Sequence, residues 1–122
     1  MVADDKLAQE QGDMHKAIGL SGEFHLYIAE VAHHETLGRL MRELVSRTCL
    51  ILMAWGSPDR MLRRQHAACG CQEHRQLLDA IRLRDPQMAV QLMVAHLNTI
   101  ENQLVFQVKP ESSQALEHLL HD

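Results

Sequence analysis

Aromatic residues are scarce in this chain of 122 residues, where one Trp, one Tyr and two Phe make up 3% of the total. Strands favour aromatic and β-branched side chains, so this shortage argues against a sheet. Hydrophobic residues still reach 46% of the sequence, so Leu, Met, Ala and Ile must do the packing. A chain of this length can build one hydrophobic core, and we therefore expect a single all-α domain.

Further absences narrow the class of protein. No apolar run approaches the roughly 18 residues of a membrane-spanning helix, and the longest extends only from Cys49 to Trp55. The first residues, MVADDKLAQEQGD, lack the basic and apolar segments of a signal peptide. Cys49, Cys69 and Cys71 are an odd number of cysteines and do not form a disulfide framework. The expected compartment is therefore the cytoplasm.

Positive charge is also in short supply, because 12 Lys and Arg against 16 Asp and Glu give a net charge of −4. Such a chain has no broad basic surface to neutralise the phosphates of a nucleic acid. Residues 59–70 are the basic exception, and we interpret them as a solvated loop or short helix rather than a phosphate or partner contact. Nucleic acid is therefore not expected as a direct partner of this chain.

The apolar periodicity predicts five or six helices and no strand. They cover about residues 3–11, 13–32, 35–55, 71–83, 85–108 and 112–120. Asp13 and Asp85 are suited to cap helices, and Pro86 to the first helical position. The first segment is too short and polar to complete a bundle, so we expect a partner subunit or an upstream helix to cover part of the core.

Three histidines occupy positions that a helical protein normally gives to leucine. Apolar residues lie three or four positions away from each of His25, His74 and His96, so each imidazole projects from an apolar helix face. A buried polar group without a partner costs about 1–3 kcal/mol. A shared metal ion would offset these costs, and imidazole suits zinc, nickel, copper and iron alike. The alternative is a set of hydrogen-bonded structural imidazoles without metal.

Arg47 is a second candidate for the same cavity. It lies on a stripe of the helix 35–55 that is predicted to face the core: Leu37, Leu40, Met41, Leu44, Thr48, Ile51 and Leu52. A buried guanidinium needs an anion, and its planar fork suits a carboxylate. The alternatives are an ion pair with Glu43 or Glu73, or a side chain that reaches the surface.

No motif in the chain indicates an enzyme. The sequence contains no nucleophile with an adjacent base, no glycine-rich phosphate loop and no HExxH. Cys69-Gly70-Cys71 followed by His74 resembles one half of a zinc-binding motif, but a second pair of ligands at the usual spacing is absent. Catalysis and a structural zinc at these cysteines are therefore both disfavoured.

Several motifs, taken in order, resemble the effector domain of FadR-type GntR transcriptional regulators. They are LSGEFH (20–25), RELVSRT (42–48), EHR (73–75), LLDAI (77–81) and HL (96–97), with Asp85 and Ala89 before the last. Together they cover roughly residues 7–106. As an ordered set these motifs are specific, whereas any one of them alone would be weak.

The resemblance implies an antiparallel helical bundle that senses small molecules and helps the regulator to dimerise, and we expect a small carboxylic acid as the effector and a homodimer. Many members hold a divalent transition metal with an Asp and three histidines, and the histidines carry over to His25, His74 and His96. The acidic position falls on Ser21, a poor metal ligand, so a water could fill the gap. Zinc or nickel is the expected metal, and Ser21 and Arg47 are the implied effector-binding residues.

The resemblance also implies that DNA is bound only through a winged helix domain upstream of residues 1–122. These residues would then be the effector-binding and dimerisation region, without the first helix of the family's bundle. Two alternatives come from other classes of protein. One is a metal-dependent enzyme resembling a hydrolase, and the other is a metal-free structural interaction domain.

Overall fold

The computed structural model describes residues 13–105 together with Ala3, Asp4 and Leu7, and the regular structure of this part is helical. Four helices follow one another there: α1 (Met14–Val31), α2 (Glu35–Trp55), α3 (Arg60–Arg82) and α4 (Pro86–Asn102). The all-α class is confirmed, with four helices rather than five or six in the described part. Of the predicted helix 3–11 only three residues are described, and the predicted helix 112–120 lies outside the described residues.

Each helix begins at a side chain that caps its first turn. Asp13 and Asp85 accept hydrogen bonds from backbone N–H groups three residues further on, as predicted for α1 and α4. Asp59 caps α3 in the same way, and Nδ1 of His34 caps α2. Such a cap contributes about 1 kcal/mol because it satisfies a backbone donor that the first turn leaves free.

Two helix boundaries differ from the prediction. The helix predicted from about residue 71 begins at Arg60 and takes in the basic segment, because the Asp59 carboxylate caps α3 directly after the turn at residues 56–58. At the other end of the fold, α4 stops at Asn102 instead of continuing to about residue 108. There the backbone N–H of Val105 donates to the carbonyl of Trp55 at 2.9 Å, which holds the chain against the end of α2.

The helices pack as two pairs, α1 on α2 and α3 on α4, and α1 also contacts α3. The first pair is antiparallel, since Cys49 near the end of α2 contacts Ile18 near the start of α1. The buried apolar residues come mainly from α1 and α3: Ala17, Phe24, Ala29, Cys71, Leu77 and Ala80. Among the described helices none is long and apolar enough to cross a membrane.

The face of α2 that contacts α1 overlaps the predicted one only in part, at Met41 and Leu52. Leu40 and Leu44, expected in the core, are 54% and 57% exposed, and α2 has no fully buried residue. The half-buried residues of its contacting stripe are Met41, Val45, Cys49 and Leu52. This stripe turns towards α1 because Gly22 has no side chain and leaves room for Val45 and Cys49.

Candidate metal centre

Three helices bring the predicted histidines into one cluster. His25 projects from α1, His74 from α3 and His96 from α4. His74 is 1% exposed and His96 is 3% exposed, whereas His25 is half-buried. The cluster therefore links the α1–α2 pair to the α3–α4 pair.

The imidazoles converge through their Nε2 atoms. Nε2 of His96 lies 3.1 Å from that of His74 and 3.3 Å from that of His25. The ligand nitrogens of all three rings lie within 4.8 Å of one another. Two nitrogens on one tetrahedral zinc ion, each about 2.0–2.1 Å from it, stand about 3.3 Å apart. The three histidines thus lie close enough to bind one metal ion.

Glu73 sets the proton on His96. Its Oε2 atom lies 3.2 Å from Nδ1 of His96, and an ionised carboxylate can only accept a hydrogen bond. The contact therefore favours the tautomer with the proton on Nδ1, in which Nε2 presents its lone pair to the cluster. The sequence suggested Glu73 only as a partner for Arg47, because a contact across two helices leaves no local signal.

Phe24 packs against the cluster, and burial keeps the other two rings neutral. Phe24 is buried and stacks on His74, with ring centroids 4.1 Å apart and 14° between the planes. Burial, reinforced by the neighbouring imidazoles, lowers the pKa of His74 to about 3 and that of His25 to about 4. Both rings are therefore neutral at pH 7, the form in which imidazole binds a metal.

A cavity of about 140 Å³ lies beside the cluster, and Ser21, Glu73 and His96 form part of its wall. Ser21 precedes His25 by four residues and so lies on the same face of α1. The position that the resemblance gave to an acidic ligand therefore faces the cavity with a hydroxyl. Three imidazoles leave further positions around a metal open to water or to a ligand from this cavity.

Comparison with known proteins supplies the family. The family model of the FCD domain matches residues 1–99. The chain belongs to the FCD domain family. FCD domains are the C-terminal effector-binding domains of GntR-family regulators; they often bind metals, and they function as dimers. Neither the curated proteins nor the solved structures contain a match.

In this FCD domain Arg47 is not brought to the histidines. Its side chain is 71% exposed and forms an ion pair with Glu43 at 2.6 Å, which was one of the alternatives considered from the sequence. The reason is the orientation of α2, which presents Val45 and Cys49 to α1 and so directs residue 47 to the opposite side. This arrangement gives Arg47 no part in the cavity wall.

The two cysteines near His74 also take no part in the cluster. Cys69 is exposed, and its thiol donates to Oε1 of Glu73 at 3.4 Å. Cys71 is buried in the core. Within the part of the chain that the structure describes, His25, His74 and His96 are the one group of three or more side chains arranged for a metal.

Proposed function

We propose that residues 1–122 are the ligand-sensing and dimerisation domain of a cytoplasmic transcriptional regulator, with a small carboxylic acid as the effector. The observation that carries this proposal is the convergence of three imidazole Nε2 atoms beside a cavity in the bundle. A buried group of neutral nitrogen ligands with open positions is suited to a metal that receives a ligand. Membership of the FCD family supports the regulatory role.

His25, His74 and His96 would hold a divalent metal, with zinc or nickel as the first candidates. Bound there, the metal would supply a Lewis acid for a carboxylate of the effector. Glu73 keeps the proton on Nδ1 of His96, so that Nε2 remains free to act as a ligand. Ser21 offers a hydroxyl to the effector or to a water from the neighbouring turn of α1.

The cavity wall explains how an acid could change the regulator. All four helices contribute to it, with Ser21 on α1, Leu52 on α2, Glu73 on α3 and His96 on α4. An acid that contacts both helix pairs favours the arrangement in which those contacts are made. In our proposal each subunit of the dimer contacts DNA through a DNA-binding domain upstream of this one. A shift to that arrangement would alter the spacing of these two domains.

We assign the homodimer contact to the exposed apolar face of α2. Leu40 and Leu44 are each more than half exposed there, and Leu37 and Ile51, on the same side of the helix, are 42% and 40% exposed. A second copy that covers this face would remove their apolar surface from water. Sedimentation velocity checks this assignment, because Leu44→Asp is expected to produce monomers and Leu83→Asp, on the turn after α3, is not.

The effector proposal is tested by titrating a panel of small carboxylic acids into zinc-loaded and chelator-treated protein. We expect at least one acid to raise the unfolding temperature of the zinc-loaded protein, and to bind at least about tenfold more weakly after chelation. If no acid binds either form, the sensing proposal fails. Turnover of an ester that disappears in His74→Ala would instead identify a metalloenzyme.

A further inference from the structure

Arg63 in the first turn of α3 lines the same cavity as the histidine cluster. Its Nε atom is buried and has no hydrogen-bond partner among the described residues. A buried guanidinium nitrogen without an acceptor is destabilising, and the guanidinium remains charged at any physiological pH. Among the described residues, the cavity wall therefore includes a cation whose buried Nε has no acceptor.

The cavity extends along one face of α3. Arg63, His66, Gly70 and Glu73 all line it, and their spacing of three or four residues keeps them on the same side of the helix. At 1.5 Å per residue, Arg63 and Glu73 stand about 15 Å apart along the helix axis. Arg63 thus lies towards one end of the cavity, and the histidine cluster towards the other.

His66 stands on α3 between Arg63 and Glu73, and much of the remaining wall is apolar, with Ile18, Leu52, Ala67 and Ile100 among its members. Side chains of this kind can pack against a hydrocarbon chain but cannot hold a charge. The cavity consequently offers apolar surface beside the polar groups at Arg63, at His66 and at the histidine cluster.

Within the described part of the chain, no carboxylate forms an ion pair with Arg63. Glu73 is the acidic residue in the described cavity wall, and its two oxygens already accept from His96 and Cys69. Asp59, one turn before Arg63, caps α3 through Oδ1, which accepts from two backbone N–H groups, and it forms no ion pair with Arg63. Among the described residues the guanidinium of Arg63 is therefore left available to an anionic ligand.

We propose that Arg63 binds the second carboxylate of a linear dicarboxylic acid whose first carboxylate lies at the histidine cluster. The inference rests on the proposed function and deepens it, because it names the class of acid. The apolar wall packs against the methylene chain, and the guanidinium fork holds the distant carboxylate. A monocarboxylic acid of equal length leaves Arg63 without its anion and binds more weakly.

The experiment compares adipate with hexanoate, and suberate with octanoate, by calorimetry on the zinc-loaded protein. Each pair has the same chain length and differs in the second carboxylate. We expect one of the diacids to bind about 10- to 100-fold more tightly than its monoacid, the range typical of a hydrogen bond to a charged group. Arg63→Gln is expected to abolish that preference, and Arg64→Gln, at an exposed neighbour outside the cavity wall, to retain it.

Several results would overturn the assignment of Arg63. One is equal affinity for diacid and monoacid in the unmodified protein, a comparison that does not depend on any variant folding. Another is an Arg63→Gln protein that has normal zinc content and in which the affinities for diacid and monoacid fall by the same factor or do not change. Either result leaves the proposed function intact if an acid still binds. Failure of every acid to bind zinc-loaded protein would overturn the proposed function itself.

Discussion

Single residues around the histidine cluster control its chemistry without being metal ligands. Glu73 holds the tautomer of His96, and Phe24 holds the plane of His74. Both contacts join residues that are distant in sequence, because each side chain meets a ring from a different helix. These neighbours therefore decide how well the three Nε2 atoms are prepared for a metal.

Removing the charge of Glu73 tests this role. Glu73→Gln is expected to weaken zinc binding by about 10- to 100-fold, because a neutral amide holds Nδ1–H of His96 less firmly. Competition with a chromophoric chelator measures the affinity. Glu43→Gln, which breaks the exposed ion pair with Arg47, is the matched control and should leave the affinity unchanged. Equal affinities in both variants would contradict the role given to Glu73.

The buried imidazoles also predict how stability depends on pH. The pKa of His25 is lowered to about 4 and that of His74 to about 3, below the ordinary value of 6.5 that the unfolded chain has. Below pH 6.5 the unfolded state therefore binds more protons than the folded state. The free energy of unfolding of the metal-free protein is highest above that pH and falls as the pH drops towards about 4.

Urea unfolding of chelator-treated protein at a series of pH values measures this loss. His74→Phe should lose less stability over the same range, because one of the two buried imidazoles is gone. If the free energy of unfolding stays constant or rises as the pH is lowered from 6.5 to about 5, these rings are not buried in the neutral form.

The sequence predicted some of these residues and missed others for identifiable reasons. His25, His74 and His96 could be grouped because each interrupts an apolar stripe on its own helix. Arg63 could not be grouped with them, because the segment around it is basic and its pattern indicates a solvated loop or short helix. Arg47 was placed inward because leucines occur on the side of α2 that turns out to be exposed.

At the scale of helices, the contact between α1 and α2 depends on Gly22. A Cβ atom built at this position lies 2.9 Å from Sγ of Cys49 and 2.9 Å from Cγ1 of Val45. Both distances are too short for carbon and sulfur atoms in contact, so the helices would have to separate. The absence of a side chain at residue 22 therefore sets the distance between the two helices.

Two alanine substitutions on α1 test this contact. Gly22→Ala is expected to lower the free energy of unfolding by about 1–3 kcal/mol through overpacking. Gly19→Ala, with nothing within 4 Å of the new Cβ, should raise it by about 0.5–1 kcal/mol, because Ala is the better helix former. Urea unfolding measures both. A stabilised Gly22→Ala protein would mean that α1 and α2 are further apart than described.

The limits of prediction at this scale come from tertiary contacts. Helix starts were predicted where the cap is an Asp before an apolar run, as at Asp13 and Asp85. The end of α4 was not, since the hydrogen bond from Val105 to Trp55 joins residues that are distant in sequence. Local patterns thus located the helices, while contacts between helices decided where one of them ends and which face of α2 packs.

At the scale of the whole molecule, the histidine cluster joins two helix pairs that otherwise meet mainly through α1 and α3. His25 belongs to the first pair, and His74 and His96 belong to the second. A metal bound to all three would stabilise the bundle, because it binds the folded state and is released on unfolding. The same cavity would then make the arrangement of the two pairs sensitive to an acid.

The most direct test of this account is the metal content of the purified protein after incubation with zinc or nickel and removal of the excess. We expect about one metal ion per chain in the unmodified protein and in His33→Asn, which replaces an exposed histidine in the turn between α1 and α2. His25→Ala and His96→Ala are expected to contain almost none. No bound metal in the unmodified protein, or full metal content in His25→Ala and His96→Ala, would contradict the metal centre.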